Sequence, residues 1–179
     1  MSDRSETALH HAEGRALRWA LALVALTSLH HVYGAVIYHT PPRYHAAAIA
    51  GLAVAGMAAA LRASRAAGDD RRNAASWWTF WGVNAVVFAL LFGLFEGAYN
   101  HLLKNILFLG GLPLHQMRVL FPAPIYEMPN DVFFEITGVL QVLPAALDAY
   151  WLGRLLRLRP RRQDSPGMSA RKRAPGATG

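Results

Sequence analysis

The sequence predicts an all-α integral membrane protein, a four-transmembrane-helix bundle, and three observations carry that prediction. Apolar residues make up 54% of the 179 and charged residues only 16%, outside the ordinary soluble range. The apolar residues gather in four runs, at 16–38, 46–61, 77–103 and 132–152, to be set against the roughly 20 residues a helix needs to cross the hydrocarbon core. Finally, fifteen of the eighteen Lys and Arg fall before or at the very start of the first run, between the second and third, or after the fourth. The positive-inside rule then places both termini and the middle loop in the cytoplasm. It gives the loops at 39–45 and 104–131 to the outside of a cell membrane, the inner membrane if the source is bacterial.

Helices are expected at about 16–38, 46–64, 76–109 and 131–156, making one domain over 1–158. A basic, disordered cytoplasmic tail follows at 159–179. The net charge of +7 does not indicate nucleic acid, because the basic residues sit beside apolar runs rather than along a soluble face. Cysteine is absent, which excludes disulfides, thiolate metal sites and iron–sulfur clusters. The first run is read as an uncleaved helix, since the segment before it is long and carries Asp3, Glu6 and Glu13.

Residues 1–15 are polar and of mixed charge, the pattern of a solvated cytoplasmic arm. The first helix opens near Arg18-Trp19, carries Thr27, His30, His31 and Gly34, and stops at Pro41-Pro42. The second has no polar side chain between Ala46 and Leu61, and Gly51, Ala55 and Ala59 recur every four positions, a spacing that lets backbones approach closely. In the loop that follows, Gly68-Asp69-Asp70-Arg71-Arg72 reads as a solvated turn. The third helix opens with Trp77, Trp78 and Trp81, an interfacial aromatic belt, and ends in Glu96-Gly97-Ala98-Tyr99-Asn100-His101. Beyond Gly110-Gly111 the long outer loop is expected to hold a short interfacial helix from Leu114 to Phe121, then a stiff proline-punctuated segment that could act as a lid. Asn130 or Asp131 is the expected N-cap of the fourth helix, Glu135 falls in its first turn, and Pro144 marks a kink. Asp148 is expected to meet Arg154 or the basic rim. The basic tail, with Arg171-Lys172-Arg173, suits contact with anionic lipid.

Ionisable groups within a spanning helix are costly and mark function. The topology puts His30, His31, Glu96, Asn100, His101 and Glu135 in the outer half together. Imidazole and carboxylate without thiolate suit iron, zinc or copper(II), and facing helices of a bundle can build such a site. His30, His31, Glu96, His101 and Glu135 are therefore the candidate metal ligands, and Glu96, Tyr99 and Asn100 the candidate catalytic groups. Two points of geometry stand against the meeting. At about 100° per residue, His101 lies about 140° round an α-helix from Glu96. At about 1.5 Å per residue, His30 sits roughly 12 Å below Tyr38 while Glu96 is roughly 28 Å beyond Trp77, near the outer interface.

These residues imply a membrane metalloprotein or metalloenzyme acting on a lipid-soluble or periplasmic small molecule. Three further readings stay open: a metal-free acid/base enzyme or proton-coupled carrier, a bis-histidine haem protein, and a structural or assembly protein.

Overall fold

The structure, a computed structural model, describes residues 3–66, 70–123 and 126–159. Its regular elements are all helical: α1 (Asp3–Ile37), α2 (Tyr44–Ala66), α3 (Asp70–Val83), a π-helical segment (Asn84–Leu103), α4 (Lys104–Leu109), α5 (Leu114–Leu120), α6 (Val132–Leu140) and α7 (Val142–Leu158). Four stretches are long and apolar enough to cross a membrane: Arg4–Ile37, Pro41–Ala66, Asn73–Leu109 and Val132–Leu158. The bundle has a basic end, where α1 starts and α7 finishes, and a loop end, where residues 38–43, 110–123 and 126–131 lie.

α1 packs against α7, α2 and α6, and the π segment packs against α7 and α6. The buried positions of α1, among them Ala12, Ala16, Ala20, Leu23, Thr27 and His30, recur three or four apart and make one seam. Alanines in that seam allow close approach, and with Leu152, Leu155, Phe80 and Phe88 they form the apolar core of the basic half.

This seam corrects the expectation of a loose arm over 1–15, because α1 is helical from Asp3. Ala12 and Glu13 are buried, and the Glu13 carboxylate is held by Arg65 at 2.8 Å and His10 at 3.1 Å. The small-residue stripe of α2 is a second correction. Ala55 and Ala59 are exposed, nothing approaches Gly51, and the buried face of α2 is instead Ala50, Met57, Leu61 and Ser64. The tryptophans divide as well: Trp78 is exposed, whereas Trp77 is buried and Trp81 donates to the Leu152 carbonyl at 3.2 Å. Of the expected charged turn, residues 68 and 69 lie outside the described residues, as does the tail over 160–179.

At the loop end α1 closes with His39 in the left-handed conformation (φ 51°) and the Thr40 amide bonded to the Ala35 carbonyl at 3.0 Å. The short helix appears as α5, and Asp131 is the N-cap of α6, accepting from the Phe134 amide at 2.7 Å. The fourth span breaks at Gln141 rather than at Pro144 itself. A proline amide cannot bond the carbonyl four residues earlier, so the ladder yields one turn ahead of the ring.

Candidate metal centre

Three chain segments bring the candidate residues together in the loop half. α1 supplies His30 and His31, the π segment supplies Glu96, Asn100 and His101, and α6 supplies Glu135. His30 is fully buried, His31, His101 and Glu135 are buried, and the Glu96 side chain is 15% exposed. The difficulty of depth disappears because α3 starts at Asp70, well ahead of Trp77, and α1 at Asp3, so both spans slide along the bundle axis.

The angular difficulty disappears through the winding of the third span. In i→i+5 hydrogen bonding a turn takes more than four residues, so residue i+5 comes round to the face of residue i, and the Lys104 amide does bond the Tyr99 carbonyl five residues back. Glu96 and His101 are five apart, so a spacing that separates them on an α-helix aligns them here. Their side chains meet at 3.5 Å.

The geometry centres on one atom. Glu96 Oε1 lies 3.5 Å from His30 Nε2, 3.7 Å from His31 Nε2 and 3.5 Å from His101 Nε2. These separations exceed the 2.7–3.2 Å usual for an N–H···O bond. The separations from His30 and His101 match instead the edges of a tetrahedron about an ion with bonds of about 2.1 Å, roughly 3.4 Å, whereas His31, the farthest of the three, does not join them in one mutually close ligand group. His30, Glu96 and His101 each place a ligand atom within 4.8 Å of the other two.

A second layer fixes the ring tautomers. Thr137 Oγ1 donates to the Phe133 carbonyl at 2.8 Å, so toward His30 it acts as acceptor, and His30 Nδ1 carries the proton across 3.1 Å. Glu135 Oε2 lies 2.8 Å from His101 Nδ1, again an acceptor facing the ring proton. In their neutral forms His30 and His101 would therefore present Nε2 lone pairs toward Glu96. His31 has no hydrogen-bond partner at either nitrogen. Asn100 Nδ2 donates to Glu96 Oε2 at 2.7 Å, which leaves Oε1 free to face the imidazoles.

Glu135 is placed differently from the expected ligand. Lys104 Nζ meets its Oε1 at 2.9 Å, and Asn105 Nδ2 donates to its Oε2 at 2.7 Å, so both oxygens are taken up behind His101. It is a positioning carboxylate of the kind that commonly backs a metal-bound histidine. Lys104 also donates to the Glu127 carbonyl at 2.7 Å. Tyr99 is not brought to the cluster: its hydroxyl donates to the Leu120 carbonyl at 2.9 Å and its ring packs on Phe95 and Phe121.

Phe134 forms the floor. Its ring stacks on His30 at 4.1 Å and meets His101 edge-on at 5.1 Å. Two glycines make the packing possible. A Cβ on Gly138 would overlap the His101 ring, and one on Gly34 would overlap Phe134. Above the cluster a cavity of about 540 Å³ is lined by His31, Glu96, His101, Arg43, Tyr126 and Glu127 among others, so two residues of the long loop border the site. Arg43 is engaged with Glu127 at 3.5 Å and with Thr40 at 2.8 Å. Tyr38, which donates to Asn130 at 2.5 Å, has its hydroxyl pushed up to about 12 by burial and by the nearby carboxylates of Glu135, Asp131 and Glu127.

Thr137, Asn105 and Phe134 gave no signal in the sequence beyond their types. Lys104 was visible as an isolated lysine near the end of an apolar run. The chain matches no protein-family model, no curated protein and no solved structure.

Proposed function

We propose that this chain is a multi-pass membrane metalloprotein, with both termini cytoplasmic, that holds one ion of iron, zinc or copper in the outer half of its bundle. His30, His31, His101 and Glu96 are its ligands in this reading, Asn100 orients Glu96, and Glu135 orients His101. The observation that carries it is the convergence of three imidazole Nε2 atoms on one carboxylate oxygen, with the tautomers of two rings already set from behind. Lone pairs facing one another in a buried site repel unless a cation lies between them. Charge supports the same reading: Lys104 offsets Glu135, while Glu96 has only imidazoles for ion-pair partners.

The cavity beside Glu96 and His31 gives the centre room for a substrate, which favours a metalloenzyme acting on a small molecule from the membrane or the outer aqueous side. Haem fits poorly, because Glu96 occupies the place its plane would need between His30 and His101, whose ring centroids are 4.6 Å apart. The positive-inside distribution supports the orientation. Anionic lipid remains the proposed contact of the basic tail.

Elemental analysis with X-ray absorption on the full chain, purified without chelator, tests the reading. About one ion per chain is expected, bound only by nitrogen and oxygen at roughly 2.0–2.2 Å. Glu96→Gln should bring the metal content to background while the helical circular dichroism stays unchanged. A Soret band would transfer the site to haem. No metal in protein from metal-supplemented cells, together with a folded Glu96→Gln variant of unaltered stability, would leave an acid/base site instead.

A further inference from the structure

The basic half of the bundle contains a second polar group that the proposed centre does not use. Asp148 and Asn84 are both fully buried, on α7 and the π segment, and Asn84 is the polar side chain facing Asp148. Among the described residues neither carboxyl oxygen of Asp148 and neither amide atom of Asn84 makes a well-formed hydrogen bond, although the Asn84 amide stands within hydrogen-bonding reach of the Asp148 carboxyl. The same holds for Gln141 Nε2, although Gln141 Oε1 accepts from Thr27 at 2.5 Å.

Among the described residues no ion pair balances Asp148. Its helix neighbour Arg154 reaches Tyr150 at 3.4 Å and lies over Trp151. α1 has no charged residue between Arg18 and His30, α2 none between His45 and Arg62, and in the π segment only Glu96 and His101 ionise. A carboxyl group so placed is expensive in a membrane bundle unless it serves a function. Buried polar atoms without protein partners are ordinarily satisfied by internal water. Thr137, Gln141 and Asp148 are spaced four and seven residues apart, which sets them on one stripe of the fourth span, with about 10 Å of rise between Gln141 and Asp148. At the far end of that stripe Thr137 touches His30.

We propose that Asp148 and Asn84 form an internal, hydrated proton-exchange site serving the basic end of the bundle, with Gln141 and Thr27 as the next station toward the His/Glu cluster. The Asp148 carboxylate takes a proton from a hydronium ion at the basic end and becomes a carboxylic acid. Giving the proton to the next water restores the carboxylate, with no change of oxidation state. The inference does not depend on whether the cluster binds a metal.

Infrared spectroscopy of the full chain in lipid nanodiscs, with chelator present throughout, tests it. The Asp148 carboxyl band is identified by its loss in Asp148→Asn, a near-isosteric change, or by its displacement in Asp148→Glu should the first variant not fold. That band is expected to shift in deuterated buffer and to change with bulk pH. It should also shift in Gln141→Leu, a substitution out of contact with Asp148. A band indifferent to deuteration and pH overturns the site, and one unmoved by Gln141→Leu overturns the link. Because the chelator removes any ion, neither result bears on the metal reading.

Discussion

The two halves of the bundle solve one problem in opposite ways. Both bury polar side chains in surroundings where an unpaired polar group is costly. In the loop half every cluster member but His31 is backed by another group: Thr137 behind His30, Glu135 behind His101, Asn100 behind Glu96, Lys104 and Asn105 behind Glu135. Left over are His30 Nε2, which faces the shared centre, both nitrogens of His31, and Asn100 Oδ1. In the basic half an apolar core surrounds Asp148 and Asn84, and nothing stands behind either. Backing fixes direction, which an ion requires of its ligands. A group without backing keeps rotational freedom and demands water, which suits proton exchange rather than fixed coordination.

The largest predicted effect breaks the ordered half at its tightest contact. In Gly138→Ala the added methyl group overlaps the His101 ring, so His101 must leave either Glu96 or Glu135. Overpacking of this kind costs typically about 1–3 kcal/mol. The expected result is loss of the bound ion to background with a lowered thermal midpoint, read by elemental analysis and a melting curve. Retention of full metal content would mean that His101 is not a ligand.

A smaller effect separates ligands from the residues behind them. Glu135→Gln keeps an acceptor for the His101 ring proton but removes the charge facing Lys104. Metal affinity is expected to fall about 10–100-fold, the usual range for an outer-layer partner, without disappearing. Competition with a chelator of known affinity measures it. If Glu135→Gln abolishes binding as completely as Glu96→Gln, Glu135 belongs among the ligands after all.

Much of this contrast is legible in the sequence, and the parts that are not have physical reasons. Four helical spans follow from apolar runs, and the gathering of His30, His31, Glu96, His101 and Glu135 at one level follows from charge bias and direction of travel. What the sequence conceals is winding. Read at an α-helical period, Glu96 and His101 point apart, and no local residue pattern announces that Asn84–Leu103 is wound with i→i+5 bonds. The roles of Glu135 and Tyr99 are hidden for a related reason. A ligand and a residue behind it are the same residue type, and only distance tells them apart. Glu13 misled through composition: a carboxylate in a polar N-terminal stretch reads as solvated, whereas Arg65, 52 residues later, makes its burial affordable.

The smallest effect is expected where the comparison is sharpest. If Asp148 and Asn84 contribute nothing to the framework, exchanging both for leucine should leave it intact, since replacing two facing polar groups by apolar ones of similar shape is nearly neutral or stabilising. Asn84→Leu/Asp148→Leu is therefore expected to melt at or above the wild-type temperature and to keep its metal, while losing the infrared signature of exchange. Asp148→Leu alone sets an apolar side chain where Asn84 faced a carboxyl group and its water, and should cost about 1–3 kcal/mol, which the second substitution restores. That non-additivity is the measurement that matters, because it reports on the pair rather than on either side chain. A double variant that unfolds, or that loses the ion from a cluster it does not touch, would show that the basic half supports the ordered one structurally. The division of labour between the halves would then have to be given up.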